Sequence, residues 1–243
     1  MATTGHYVAW RVRVSAIPYV KAYGECALRD VVAAFGDLER RAEEVANAAF
    51  ERYGAQPAGE DFDGDMGAFA ERAQDEGIAF YQTMFAIRQS TLNLFSVGLF
   101  HLVEQQLADL CRDASFEVAP PGDTKIPVVA RWYSDHFGLD LSTLPGWAAM
   151  DELRLVANTV KHAEGGSTER LRNIRPQLFQ HPAVRELLPE EDFGANLPVH
   201  LPLAGESLYV SEEFFRGYSE AANGFFESIA NHFDEHGDAY YPH

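Results

Sequence analysis

Hydrophobic and polar positions alternate near the start of the chain. Between Tyr7 and Val14, four apolar residues share one parity: Val8, Trp10, Val12 and Val14. Alternation with β-branched and aromatic residues is typical of a β-strand that is buried on one face. We therefore predict that residues 1–24 are extended and contain a short strand, whose partner would be Leu201–Val210.

The spacing then changes to intervals of three and four, which predict amphipathic helices. One such helix is predicted from Cys26 to Tyr53, and a longer one from about Met66 to Arg112. No proline interrupts the longer helix, which would span roughly 70 Å at ~1.5 Å per residue. Because that exceeds the length of a small bundle, we expect a bend or break near Gly77 or Gly98.

Three further helices are predicted after Pro120-Pro121-Gly122. They cover Ile126–Phe137, Trp147–Glu164, and a C-terminal helix that opens at Ser211. The second should end at Gly165-Gly166, with Ser167 capping a further short segment. The last carries an apolar, largely aromatic stripe: Phe214, Phe215, Tyr218, Ala222, Phe225, Ile229 and Phe233.

The predicted fold is a mainly α, up-and-down helical bundle of four to six helices with a minor N-terminal β element. We expect one domain in which the N-terminal segment precedes a main bundle over 25–174. An irregular connection over 175–210 then leads to the C-terminal helix over 211–236.

Composition narrows the functional classes. The chain has 37 acidic and 19 basic residues and a net charge of −18, which disfavours nonspecific nucleic-acid binding unless cations gather locally. Six basic residues do gather between Arg154 and Arg185, either on a solvated face or around an anion site. The longest stretch without charge, Gln89–Val103, is too short and polar to cross a membrane, so we expect a cytoplasmic protein.

Metal and cofactor sites are not predicted. The two cysteines form no zinc pattern, and no glutamate has a histidine three residues later. The aspartates Asp61, Asp63 and Asp65 resemble a calcium loop, but Met66 and Arg72 replace its required glycine and glutamate. Motifs of nucleotide-phosphate loops and of the hydrolase elbow are also missing from the sequence.

Candidate chemistry is concentrated in the helix that contains Asp151–His162. Arg154, Asn158 and His162 are spaced by four, and Lys161 stands beside the histidine. These side chains occupy one side of a helix. An arginine, an amide, an ammonium and an imidazole together suit a phosphate, because the donors hold the anion and histidine moves a proton near neutral pH.

This arginine, asparagine and lysine-histidine pattern in a helical chain resembles the HEPN superfamily of prokaryotic helical proteins. The resemblance covers about Leu92 to Gly166. It implies a metal-independent ribonuclease, a toxin or an antiviral-defence effector, in which two protomers bring their arginine-histidine pairs together at a dimer interface. Arg154 and Lys161 would then hold phosphate, Asn158 would orient the reacting group, and His162 would transfer protons.

The sequence departs from that family in its spacing. Seven residues separate Arg154 from His162, whereas the family has four to six. The two positions lie ~12 Å apart along a helix axis, which disfavours a pair within one chain and favours juxtaposition across a two-fold axis. The literal matches, Arg131–His136 and Arg175–His181, are as many as chance would give.

The same residues also allow a structural interpretation, in which they stabilise the fold and take part in no chemistry. Arg154 would pair with Asp151 or Glu104, Asn158 would cap a neighbouring backbone, and Lys161 and His162 would interact with the helix C-terminus. A second polar pair, His101 and Glu104, lies one turn apart in an apolar stretch. Because burying such a pair is costly, it must meet a partner from another helix, for which Arg154 and His162 are candidates.

Two functional hypotheses follow. The first is an enzyme that acts on RNA or nucleotide phosphodiesters without a cofactor or a metal ion. Replacing His162 tests this hypothesis. The second is a non-catalytic, acidic interaction subunit that binds a protein partner or a second copy, with the acidic loop Glu60–Asp65 at the interface. Acidic charge favours the second over nucleic-acid binding.

Overall fold

The computed structural model describes residues 4–55, 66–114, 119–188, 196–203, 205 and 207–236. All regular secondary structure in these ranges is helical, so the mainly α prediction is confirmed. The acidic loop Glu60–Asp65, with its calcium-like aspartates, lies outside the described residues. No described helix combines the length and the apolar character that crossing a membrane requires.

The predicted N-terminal strand is wrong. This segment forms α1 (Thr4–Arg11), a π-helical turn (Val12–Ala16) and α2 (Ile17–Glu25). The apolar positions fit a helix because every fourth one is fully buried: Val8, Val12, Ala16 and Val20. Trp10 and Val14, which complete the alternation, are 54% and 49% exposed. The proposed partner segment also contains no strand among its described residues, and there Tyr209 N donates to Leu178 O.

The helix predicted from Cys26 is interrupted before its midpoint. A second π-helical turn (Cys26–Val31) and a 3₁₀ turn (Val32–Phe35) lead to Asp37, whose φ of 53° places it in the left-handed region. Helix α3 (Leu38–Gly54) begins directly after it. The apolar spacing therefore predicted helical structure correctly but missed this turn.

Helix α4 (Met66–Ala114) is continuous, so the expected break is wrong. Its 49 residues correspond to about 74 Å. The two glycines serve close packing. A Cβ on Gly77 would lie 2.8 Å from Ala42 O in α3, and one on Gly98 would lie 2.0 Å from the Tyr23 hydroxyl.

The remaining helices are α5 (Ile126–Phe137), α6 (Trp147–His162), α7 (Gly166–Ile174), α8 (Pro182–Leu187) and α9 (Glu212–His236). The hydrophobic core is a single cluster to which α1, α2, α4, α6 and α9 contribute. Its largest fully buried side chains include Leu99, Leu107, Leu153, Phe215, Phe225, Phe226 and Phe233. The start of α9 is as predicted, with Phe214 N donating to Ser211 Oγ at 3.2 Å.

The connection between α7 and α9 covers the end of α6. It contains a 3₁₀ turn (Pro176–Phe179) and α8. One backbone hydrogen bond attaches it to α6, from Leu203 N to Val160 O at 2.6 Å, and another attaches it to the turn after α6, from Glu164 N to Val199 O at 3.1 Å. These bonds fix the surroundings of the helix end at which the candidate residues lie.

Candidate functional site

Arg154 is bound to a carboxylate of its own helix. Its Nε and Nη2 atoms donate to Asp151 Oδ1 at 2.9 and 2.7 Å, and its side chain is 26% exposed. Arg170 of α7 approaches the other carboxylate oxygen at 3.4 Å. The guanidinium thus makes one of the two pairings that the structural interpretation expected, and Asp151 joins α6 to α7 through Arg170.

The gathered basic residues are mostly neutralised. Three ion pairs hold this region together: Arg170–Asp151, Arg172–Glu164 at 2.9 Å and Arg175–Glu152 at 2.9 Å. The hydrogen bonds from Arg172 lower the pKa of the Glu164 carboxyl, and the same bonds raise the pKa of Arg172. This region is a network of ion pairs, and a cationic patch is not formed by these three arginines.

Lys161 belongs to a separate polar cluster. Its Nζ lies 3.2 Å from His101 Nε2, and His101 Nδ1 lies 2.8 Å from Glu104 Oε2. Because an ammonium can only donate, Nε2 accepts and Nδ1–H donates to Glu104. The partner of the predicted His101–Glu104 pair is therefore Lys161, and the two candidates named from sequence do not contact it through any described hydrogen bond.

Asn158 and His162 share a pocket at the turn between α6 and α7. The pocket has a volume of about 280 Å³ and is also lined by Glu164, Gly165, Gly166 and Ser167. Asn158 Nδ2 donates to Ser167 Oγ at 3.4 Å, which is a side-chain contact and not the predicted backbone cap. The imidazole is exposed, so it opens to solvent as the phosphate hypothesis requires.

The turn is built differently from the glycine cap that the sequence suggested. Helix α6 ends at His162, and Ala163 takes the positive φ of 61°. The buried Thr168 hydroxyl donates to Ala163 O at 2.6 Å and fixes this conformation. Gly165 occupies the N-cap position of α7, so Ser167 lies in its first turn and is not the cap.

The pocket offers backbone donors in place of cationic side chains. No lysine or arginine is among its described lining residues, and Glu164 contributes a carboxylate. That carboxylate is held by Arg172 and by Val199 N at 2.9 Å. The first N–H groups of a helix have no intrahelical partner and attract anions, so the start of α7 is the part of this pocket that would stabilise an anion.

The four candidate residues of α6 are therefore divided among three surroundings. Asn158 and His162 lie together, Lys161 faces His101, and Arg154 faces Asp151. Sequence reasoning missed Ser167 and the glycines as pocket residues because it assigned them only to helix capping. Among the described ranges, no group of three metal-ligating side chains is close enough to hold a metal ion.

The chain matches no known family model, and neither the curated proteins nor the solved structures include a significant match to it. The resemblance to HEPN proteins therefore rests on the sequence pattern alone. Function has to be argued from the pocket and from the charges around it.

Proposed function

We propose that the pocket at the α6–α7 turn binds phosphate and that the protein acts on RNA or nucleotide phosphodiesters without a metal ion. The observation that carries this proposal is the position of Asn158 and His162 beside the N-terminus of α7. A helix N-terminus stabilises an anion, and an exposed imidazole transfers protons near neutral pH. Together these supply an anion-binding element and one of the two proton-transfer groups that phosphodiester cleavage uses.

The chemistry assigns His162 the proton transfer. Its imidazole takes the proton of a ribose 2′-hydroxyl while that oxygen forms a bond to phosphorus, and the bond from phosphorus to the 5′-oxygen breaks. A second acid must protonate the departing 5′-oxygen. The His162 of a second copy would fill this role, which gives the dimer expected from the family resemblance a chemical reason.

The other candidates act at a distance in this proposal. Arg170 pairs with Asp151 and thereby helps to position α7 against α6, and Arg154 holds the same carboxylate within α6. Arg172 offsets the charge of Glu164, which would otherwise repel a phosphate from the pocket. Lys161, His101 and Glu104 form a neighbouring cluster outside the lining of the pocket.

A cleavage assay with labelled single-stranded RNA in the presence of a chelator tests the proposal. His162→Ala should reduce cleavage by about 10²-fold or more, the usual contribution of a positioned acid or base, without changing the melting temperature. His136→Ala removes another exposed histidine and serves as the matched control. Equal cleavage by His162→Ala and the wild type, or no cleavage by either, would contradict the proposal.

A non-catalytic interaction subunit is the second candidate, favoured by an apolar surface on α1 and the segment that follows it. Trp10, Val14 and Tyr19 are 54%, 49% and 58% exposed. Trp10 and Val14 are four residues apart and so lie on one face. If this face joins two copies, Trp10→Ser with Val14→Ser should convert a dimer to a monomer in sedimentation experiments, and His162→Ala should leave the dimer intact.

A further inference from the structure

A long groove lies along the first half of α4. It has a volume of about 820 Å³. Its floor is a face of α4 between Gln74 and Ala86, and one wall is α3. The far wall is formed by His181, Gly205 and Tyr209 of the connection before α9. Volumes of 300–1,000 Å³ are typical of sites for small organic ligands.

The α3 wall carries two carboxylates without basic partners. Glu39 and Glu43 both line the groove, are exposed, and have no ion pair within the described structure. Being four residues apart, they repel each other on the helix surface. Glu44, one position further on, pairs instead with Arg40 and does not line the groove. No lysine or arginine is among the groove's described lining residues.

Four rings follow one another along the floor and the far wall. Tyr81 stacks on Phe85 with centroids 6.2 Å apart, Phe85 lies 5.1 Å from His181, and His181 lies 5.2 Å from Tyr209. His181 Nδ1 accepts a hydrogen bond from Ala183 N at 3.2 Å, which holds the ring in place. The faces of the Tyr81, Phe85 and Tyr209 rings attract cations.

We propose that this groove binds an organic cation with an apolar body, of the class of quaternary-ammonium amphiphiles. The cationic head would lie between Glu39 and Glu43 and the ring of Tyr81, and the apolar part would extend over Ile78 toward Phe85. Ile78 is 47% exposed, which is a large exposed fraction for an isoleucine on the floor of a groove. The unpaired acids specify the sign of the ligand's charge, and the apolar floor specifies its hydrocarbon part.

This site is independent of the phosphodiester proposal, because it shares no lining residue with the pocket of His162. Isothermal titration calorimetry with decyltrimethylammonium, below the concentration at which it forms micelles, measures the binding. Decanesulfonate has the same chain and the opposite charge. We expect saturable binding of the cation with at least about tenfold higher affinity than that of the sulfonate. This preference is what the two exposed carboxylates, Glu39 and Glu43, should produce together.

Variants separate charge from apolar contact. Glu39→Gln with Glu43→Gln should weaken binding of the cation by about three- to tenfold, the range expected for two exposed charge contacts. Glu44→Gln, a substitution of the same chemistry outside the groove, should leave the affinity unchanged. Phe85→Leu keeps the apolar surface but removes a ring, and should weaken binding of the cation by about two- to fivefold.

Three results of these binding experiments would overturn the proposal of a cation site. Equal affinity for the cation and the sulfonate would show a merely apolar groove and overturn the proposal, as would the lack of saturable binding. An equal effect of Glu44→Gln and of the double substitution would also overturn it. If Phe85→Leu does not fold, Ile78→Ser tests the apolar floor, and an unchanged affinity there would count against the site.

Discussion

Replacing Gly98 by alanine should destabilise the protein, although alanine is the better helix former. Gly98 lies in the middle of α4, where alanine would normally contribute about 1 kcal/mol of stability. Here its Cβ would lie 2.0 Å from the Tyr23 hydroxyl and 3.0 Å from Cζ, so the ring has to move. That movement also breaks the hydrogen bond from the Tyr23 hydroxyl to Phe95 O at 3.1 Å.

The magnitude follows from these opposing effects. Overpacking costs about 1–3 kcal/mol and the lost hydrogen bond about 1 kcal/mol, against the gain of about 1 kcal/mol in helix propensity. We expect Gly98→Ala to lower the free energy of unfolding by about 1–3 kcal/mol. For a chain of this size that corresponds to a fall of roughly 3–10 °C in melting temperature.

Urea unfolding of a double-mutant cycle is the assay. Tyr23→Phe removes the atom in closest conflict, so Gly98→Ala should cost less than about 1 kcal/mol in that background. Gly224→Ala in α9 is the matched control, because a Cβ there meets no atom within 4 Å and should be neutral or stabilising. The reasoning would be refuted if Gly98→Ala stabilised the wild type, or if its cost were unchanged by Tyr23→Phe.

Three further outcomes are expected. Burial raises the pKa of the Cys111 thiol to about 12, above its ordinary 9.0. The buried thiol therefore contributes stability that is complete below pH 9 and is lost as the pH rises toward the raised pKa. In urea unfolding, the free energy of unfolding of Cys111→Ala should decline less above pH 9 than that of the wild type. Hydrogen bonds from Arg172 lower the pKa of the Glu164 carboxyl below its ordinary 4.5. The ionised carboxylate therefore contributes stability above pH 4.5, and this contribution is lost as the pH falls through the lowered pKa. Denaturation between pH 3 and 6 should show that the stability of Glu164→Gln varies less with pH than that of the wild type. Tyr218→Phe removes the hydrogen bond that the Tyr218 hydroxyl donates to Glu152 at 2.7 Å. Because the Glu152 side chain is only 11% exposed, losing this bond should cost about 1–2 kcal/mol and lower the melting temperature by a few degrees.

Local pattern was a good guide to several helices. The helix over Ile126–Phe137 begins and ends at the predicted residues, since Pro127 near its start and Gly138 in the left-handed conformation after its end are local signals. The start at Ser211 was equally visible from its acidic first turn. The N-terminal segment failed because Val8 and Val12 satisfy both an alternating and a four-residue period.

The candidate site was only partly visible in the sequence. Spacing by four placed Arg154, Asn158 and His162 on one side of α6, and the pairing of Arg154 with Asp151 follows from their separation by three residues on that helix. The partner of Lys161 is His101, sixty positions away. This contact depends on the relative placement of α4 and α6, which no local pattern encodes.

The sequence by itself determined that the chain is helical, strongly acidic and built around long apolar stripes, because periodicity and charge are properties of neighbouring residues. Tertiary structure alone decided how charges on different helices pair and where cavities open. Gly77 and Gly98 illustrate the division. From the sequence they suggested a bend or break in α4, whereas in the structure they are the positions at which α3 and Tyr23 pack closely against this helix. The physical reason is that a glycine's role depends on which atoms come close to its missing side chain, and long-range packing sets that distance.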